Sequence, residues 1–331
     1  MRLTIQDFIS PLTASNSNTT WTQREGFWLT LTDEDGRTGT GEVGPLPGFS
    51  KETLEDCSFF LKKLEVLVQE KNIFELSWQQ VEEMLAKFPA ALRCGIECAY
   101  VQVLSCLRQE TVWQTMRTIL QEMGVLLAPT GEIPLAFLLH GDSPNEVYAN
   151  FFRAWENGFR TFKMKIGCRG QKKQEREILD WLCRNMGEKG RLRVDSNGVF
   201  NLRQTEDWSR FLWKLNVEFW EEPGALPHFP HPALAQDESL LVSPPANFSS
   251  VLVLKPMLLG LFAAMRLIAR YRDRNIVISH LYESAVGWNF AAALALAVGH
   301  TGLAAGLAPH AGLAEKDLLW FAKNRLEVGD D

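Results

Sequence analysis

From about residue 133 onward the chain alternates short apolar runs with helical stretches, and this alternation limits the fold more than any other feature. Runs with strand character fall at 133–139, 162–166, 191–195, 217–221, 234–237, 251–255, 275–279 and 304–307. Stretches of helical periodicity at 144–157, 172–186, 202–215, 260–272 and 284–298 separate most of them. Eight strands with helical crossovers imply a parallel sheet of the α/β class, most economically closed into a TIM-like (β/α)8 barrel. The connections at 224–231 and 239–250 are proline-rich, and the second is expected to lack a full helix. An open doubly wound sheet is the alternative. Against it, no strand is followed by the glycine fingerprint of a dinucleotide site or by a phosphate loop.

The first part of the chain reads differently. Alternating strand patterns run from Leu3 to Thr32 and end at the turn Asp33-Glu34-Asp35-Gly36. The loop Gly44-Pro45-Leu46-Pro47-Gly48 follows, and residues 52–108 show helical periodicity broken at Pro89. Strands followed by a run of helices suggest a small α+β unit. The expected division is an α+β domain over 1–128, a barrel over 129–311, and a C-terminal helix or tail over 312–331 that returns to the first domain.

With 34 Lys and Arg against 40 Asp and Glu, the formal charge is −6, which argues against a nucleic-acid partner. The Ala-rich stretch 285–299 is shorter than the roughly 20 apolar residues a spanning helix needs, so it reads as a buried helix and no membrane insertion is expected. The polar N-terminus carries no leader pattern, and a cytoplasmic protein is the expectation. Six cysteines with no CxxC pair look like scattered thiols rather than a zinc site, and the histidines show no clustering. Nothing in the chain specifies an oligomeric state.

The polar residues at the strand ends carry the functional signal, because a barrel places its active site at the C-terminal ends of its strands. Lys163 and Lys165 are two residues apart on one strand and so point to the same side. The next strands end at Asp195, at Glu221-Glu222, at Asp237-Glu238 and at Lys255. Successive strands thus present amine, three carboxylates and amine around one ring. Three bare carboxylates on neighbouring strands repel, and a divalent cation resolves the repulsion. Oxygen ligands without His or Cys favour Mg²⁺ over Zn²⁺. Lysines on both sides suit a small-molecule carboxylate substrate, whose enediolate a metal and a lysine stabilise. Two adjacent ammonium groups also repel, which favours loss of a proton from one of them and gives a base near neutral pH. Taken singly, a strand-end Asp is more often a helix cap or turn residue, and lysine pairs are common on surfaces. The ordered set of five strand ends shifts the balance towards function. His280 past the seventh strand reads as a rim or packing residue, and Cys168 as a small loop residue.

The pieces Phe162-Lys163-Met164-Lys165-Ile166-Gly167, Val194-Asp195-Ser196-Asn197-Gly198, Trp220-Glu221-Glu222-Pro223, Asp237-Glu238-Ser239 and Leu254-Lys255-Pro256 resemble the enolase superfamily in its muconate-lactonizing subgroup. Gly41 to Ser50 is similar to that superfamily's capping-domain loop, so the first domain is expected to cap the barrel. Within the superfamily, Ser279 to Gly287 and the late Gly302-Leu303 and Gly306-Leu307 pairs are most similar to the o-succinylbenzoate synthase family. That resemblance implies dehydration of 2-succinyl-6-hydroxy-2,4-cyclohexadiene-1-carboxylate to 2-succinylbenzoate, a step towards menaquinone or phylloquinone. It implies Mg²⁺, with Mn²⁺ as a substitute, on Asp195, Glu221 and Asp237. It makes Lys165 the base with Lys163 in support, and Lys255 the group on the other face. Asn197, Glu222 and Glu238 stand behind the ligands, and Ser279, Glu283 and Ser284 contact substrate. Choosing Glu221 over Glu222 as ligand rests on the family pattern. Gln102 departs from it, standing where an Asp is expected in the last capping helix.

The same metal and lysines serve an N-acylamino acid racemase or dipeptide epimerase, and the strand ends alone do not separate these from the dehydratase. The rim at 13–23 and 44–49 shows no acidic or basic residue committed to an amino-acid ligand. A Schiff-base aldolase needs one amine and no metal. A non-enzymatic barrel has no use for five such strand ends.

Overall fold

The computed structural model describes residues 2–15, 19–167, 172–226, 233–247 and 249–328. Long alternating segments at the start of the chain form an antiparallel sheet of β1 (Arg2–Ser15), β2 (Thr20–Thr32) and β3 (Thr38–Val43) in that order. The expected turn at Asp33 to Gly36 joins β2 to β3, with Gly36 at φ 85° and the Arg37 amide donating to Asp33. Four helices follow: α1 (Leu54–Glu70), α2 (Trp78–Leu85), α3 (Ala90–Arg108) and α4 (Val112–Glu122). Reciprocal capping boxes start three of them, at Thr53/Asp56, Ser77/Gln80 and Thr111/Gln114. Pro89, which reads as a break in the sequence, is the N-cap of α3. By length and composition α3 alone, among the described residues, would suffice to cross a membrane, and most of it is buried in the protein.

The second part opens with the two-residue strand β4 (Ile133–Pro134) and continues as β5 (Ala136–Leu139), α5 (Pro144–Glu156), β6 (Thr161–Lys165), α6 (Lys172–Met186), β7 (Arg191–Asp195) and α7 (Leu202–Leu212). Then come β8 (Val217–Glu221), β9 (Ala233–Gln236), β10 (Ser249–Leu254), the one-turn α8 (Pro256–Leu259), α9 (Leu261–Arg270), β11 (Asn275–Ile278) and α10 (Ala285–Val298). Strands β5 to β11 form one parallel sheet in sequential order. The sheet curls into a capped (β/α)8-type barrel, and the open doubly wound alternative is set aside.

The eighth expected strand, 304–307, is reduced to a seam. Ala305 bridges Leu135 and Gly306 bridges Ser279, with Ala136 N–H to Ala305 O and Gly306 N–H to Ile278 O both at 2.8 Å. The crossover 239–250 holds only a 3₁₀ turn at Glu238–Leu241 among its described residues. Most of the crossover at 224–231 lies outside the described residues, as does Cys168. The stretch expected as a buried helix is α10, with an almost wholly buried Ala-rich body.

Of the helix or tail expected over 312–331, the described residues form a tail, with a 3₁₀ turn (Glu315–Asp317) and a hairpin of β12 (Phe321–Ala322) and β13 (Arg325–Leu326). The hairpin pairs with β4 at the barrel's entry. Asn289 of α10 fastens the tail, donating to Asp317 O at 3.1 Å and accepting from Leu319 N at 2.8 Å.

Candidate active site

The strand register assembles the ring. Lys165 pairs with Asp195, and Asp195 with Glu221, in the ladders β6–β7 and β7–β8. Asp237 and Lys255 follow directly on β9 and β10. Asp195 and Glu221 are each 2% exposed, Asp237 4% and Lys255 8%, so this polar set sits out of water. Lys163, Lys165, Asp195, Glu221 and Lys255 all face one cavity under the N-terminal domain, and Ser279 borders it on the far side.

The amines pair with the carboxylates. Lys163 Nζ lies 2.9 Å from Asp195 Oδ2 and also bonds Glu221 Oε2, while Lys255 Nζ bonds Asp237 Oδ2. Burial disfavours the Lys163 ammonium, yet Asp195, Glu221 and Asp237 outweigh it and hold its pKa well above the usual lysine range. Burial likewise opposes the Lys255 charge, and Asp237 overcomes it and raises the pKa. Burial pushes Glu221 up, and like charges on Asp195 and Asp237 add to this. Burial also works against the Asp195 charge, but the nearby Lys163 and Lys165 bring its pKa below the ordinary value. The sequence reading set Lys163 against Lys165 as repelling cations. The structure instead places Lys163 among acids.

The residues behind the ring are specific. Asn197 and Glu222 adopt left-handed backbone, at φ 44° and 43°, one or two positions past the ends of β7 and β8. Non-glycine residues there are strained, and such strain gathers at functional sites. The turns fold side chains back: Asn197 N donates to Asp195 Oδ1 at 2.9 Å, and its amide reaches Asp195 Oδ2 and Glu238 Oε1, both at 3.3 Å. Glu222 Oε1 accepts from Asp237 N at 2.6 Å, Ser239 N at 3.0 Å and Ser239 Oγ at 2.7 Å. It thereby fixes the backbone that presents Asp237. Burial, with Asp237 and Asp195 close by, pushes Glu238 to about 8.

The donor chemistry suits a hard divalent ion. Three buried carboxylates project from adjacent strand ends, and beside them Asn197 Oδ1 and Glu238 Oε2 are buried without hydrogen-bond partners. Among the described residues no three acidic, His or Cys side chains already converge as a metal site, and the ammonium groups of Lys163 and Lys255 pair with the carboxylate oxygens.

Of the residues matched to substrate contact, Ser279 lines the cavity, whereas Glu283 and Ser284 are not among its lining residues. Glu283 is buried, with burial raising its pKa to about 7 and Arg24 only partly offsetting. Ser284 N and Oγ both donate to Glu42 of the first domain. The wall instead uses Trp21 and Phe49 from the first domain, and His280, Leu281 and Tyr282 after β11. Phe49 covers Lys255, its ring centroid 4.7 Å from Nζ. The histidines do cluster: His280 and His310 rings are 5.5 Å apart. Burial and His310 lower His280 to about 3, and its Nδ1 accepts from Tyr282 N at 3.0 Å. The wall is drawn from the start of β2, the 44–49 loop and the segment after β11; the sequence marks 13–23 and 44–49 as rim without saying which side chains meet there.

Two family models match the chain: MenC, N-terminal domain, over residues 15–103, and Enolase C-terminal domain-like, over residues 147–240. Protein PHYLLO, chloroplastic, of Arabidopsis thaliana is 26% identical over 296 residues, 80% of this chain and 17% of that protein. The o-succinylbenzoate synthase of Thermosynechococcus vestitus is 26% identical over 216 residues, 64% of this chain and 56% of that one. The chain thus matches less than two thirds of the length of either relative. Among solved structures, the dipeptide epimerase of Enterococcus faecalis V583 complexed with Mg and dipeptide L-Leu-L-Tyr has a TM-score of 0.80 at 20% identity, covering 99% of this chain and 96% of that one. MenC from Desulfotalea psychrophila LSv54 has a TM-score of 0.71 at 20% identity, covering 94% of each chain. The fold and the two matched domains define a capped-barrel enzyme class, and the chain belongs to it: it is a member of the enolase superfamily. Within that superfamily it is similar to the o-succinylbenzoate synthases.

Proposed function

We propose that the protein is an o-succinylbenzoate synthase. It eliminates water from 2-succinyl-6-hydroxy-2,4-cyclohexadiene-1-carboxylate to give 2-succinylbenzoate, in the cytoplasm, on the way to menaquinone or phylloquinone. The observation that carries this reading is the charge pattern of the cavity. Its charged lining residues are Lys163, Lys165, Asp195, Glu221, Lys255 and Arg193, with Asp237 just behind, ion-paired to Lys255, while Trp21, Phe49, Tyr282 and a neutral His280 supply an uncharged wall. Such a wall offers no carboxylate to pair with the α-ammonium of a dipeptide, and it suits a ring-bearing dicarboxylate. The match of the first domain to the MenC model supports the same choice, since that domain supplies Trp21 and Phe49.

In this reading Lys165, in its amine form, takes the proton from the carbon beside the ring carboxylate. The electron pair left on that carbon is shared with the carboxylate. Lys255 faces the other side and balances the charge that develops there. The pair then forms the new ring double bond as the C–O bond breaks, and Lys165 returns its proton to the departing hydroxide as water. Lys163 holds Asp195 and Glu221 in place. Asp195, Glu221 and Asp237 would hold Mg²⁺ or Mn²⁺, with Asn197, Glu222 and Glu238 orienting them. When bound, the ion supplies Lewis-acid stabilisation of the substrate carboxylate.

A second reading, an N-acylamino acid racemase or dipeptide epimerase, is favoured by the structural likeness to dipeptide epimerases. Ultraviolet absorbance of the dehydration, with and without EDTA, in the parent and in Lys165→Ala tests the first reading. Activity is expected only in the metal-replete parent. Solvent deuterium exchange into N-succinyl amino acids, with no dehydration, would establish the racemase instead.

A further inference from the structure

Two buried carboxylates of the capping domain grip the barrel at the segments that follow β10 and β11. Glu97, on α3, is fully buried and accepts from Phe262 N at 3.0 Å. Phe262 lies in the first turn of α9, whose own N-cap, Gly260, has no side chain to offer. One turn earlier on α3, Arg93 donates to Leu259 O at 2.8 Å, at the end of α8. α8 begins at the residue after Lys255. The two α3 side chains therefore hold the junction of α8 and α9, at the last carbonyl of the Lys255 turn and at an amide in the first turn of the next helix.

Glu42, on β3, does the same for α10. Its Oε2 accepts from Ser284 N at 2.9 Å and from Gly287 N at 3.1 Å. Helix N-termini carry unsatisfied N–H groups and favour a carboxylate. The segment leading into α10 carries Ser279, His280, Leu281 and Tyr282 of the cavity wall.

These two carboxylates are held as a unit. β3 and α3 cross so closely that a Cβ on Gly41 would collide with Gly95 O, and one on Gly39 with Ala99 O. Gly41 adjoins Glu42, and Gly95 lies two residues before Glu97. Their spacing is thus fixed by backbone against backbone rather than by flexible side chains.

We propose that Glu97 and Glu42 are positioning residues, through which the seating of the capping domain sets the placement of Lys255 and of the 279–282 wall. The part concerning Lys255 rests on the function proposed above. The test compares the parent with Glu97→Ala, with Glu97→Met as a volume-keeping substitute should the alanine variant fail to fold, and with Glu97→Gln, which keeps an acceptor oxygen. Amide hydrogen exchange over 256–263 is expected to quicken about ten-fold in the Ala or Met variant and to return towards the parent rate in Gln. Dehydration kcat is expected to fall about ten- to a hundred-fold with KM within about three-fold, and to recover in Gln. Glu42→Ala is expected to quicken exchange over 281–287 and to raise KM instead. Unchanged exchange in either segment overturns the grip there, and faster exchange with unchanged kinetics overturns the positioning role. A parent without dehydratase activity sinks the proposed reaction but not the grip, which the exchange measurement decides alone.

Discussion

Lys163 lies 2.9 Å from Asp195 and bonds Glu221 as well, so one ammonium neutralises two of the three carboxylates proposed to hold an ion. Removing one partner from a buried charge set leaves the others uncompensated, at a cost of about 3–5 kcal/mol. Lys163→Met is therefore expected to melt well below the parent in EDTA. Saturating Mg²⁺ is expected to recover more of that loss than it adds to the parent, because it replaces the missing positive charge. Equal Mg²⁺-dependent shifts in the two proteins, read by calorimetry, would contradict this.

Glu222 touches no cavity in the proposed scheme, yet it holds the Asp237 backbone through its contacts to Asp237 N and Ser239. Outer groups of this kind typically change metal affinity about 10–100-fold when lost. Titration calorimetry with Mn²⁺ on Glu222→Ala is expected to show a weakening of that size, with the fold retained. Affinity equal to the parent's would remove Glu222 from any role in orienting the ligands.

Truncating Lys255 tests the far side of the site. Its ammonium is the group placed to meet developing charge, and losing one such donor typically costs about 10²–10³ in kcat. Lys255→Ala is expected to show that loss with metal affinity at least as high as the parent's, since Asp237 is freed from its ion pair. Weaker metal binding in this variant would argue that the lysine supports the ligands rather than the reaction.

Glu97 supplies a pH test. Burial raises its pKa to about 7, with Phe262 N–H and Arg93 only partly offsetting. A carboxyl whose folded pKa lies above its unfolded value binds more protons when folded, so its contribution is complete below the unfolded pKa and is lost as pH rises through about 7. Glu97→Gln removes this titration. The stability of the variant relative to the parent is expected to climb between about pH 5 and pH 8, by up to about 3 kcal/mol. A pH-independent difference in denaturant midpoint would show that the side chain does not titrate with folding.

His280 is expected to contribute no limb to the pH–rate profile. Burial and the neighbouring His310 hold its pKa near 3, so it stays neutral across the working range. Profiles of the parent and His280→Asn should have the same shape between about pH 6 and pH 9. A limb near the ordinary histidine value that vanishes in the variant would reassign it as a titrating group.

The strand ends were legible because a parallel barrel strand is short, apolar and ends abruptly at its polar residue. β7 and β8 begin and end where the alternation placed them, at Arg191–Asp195 and Val217–Glu221. Their adjacency in register then brings the acids together without any further information. The cavity wall was legible only as regions: 13–23, 44–49 and 279–287 hold Trp21 at the start of β2, Phe49 and Tyr282, but which side chains meet depends on how one domain seats on the other. Glu283 and Ser284 were matched by motif and turned out to face the domain interface, where Arg24 and Glu42 await them. The C-terminal hairpin escaped too, because two-residue strands carry no periodicity. Asn197 and Glu222 show left-handed backbone that residue type alone did not announce.

The seam at Ala305 and Gly306 joins β5 to β11 through a few backbone contacts, whereas the acidic residues sit on the opposite arc of the barrel. Tolerance to change is therefore unevenly spread around the circumference. On the function proposed above, substitutions at Ser279 would reshape its side of the chamber without touching the β7–β8 ladder that registers Asp195 with Glu221, so selectivity for the bound molecule and affinity for a cation would be free to drift apart.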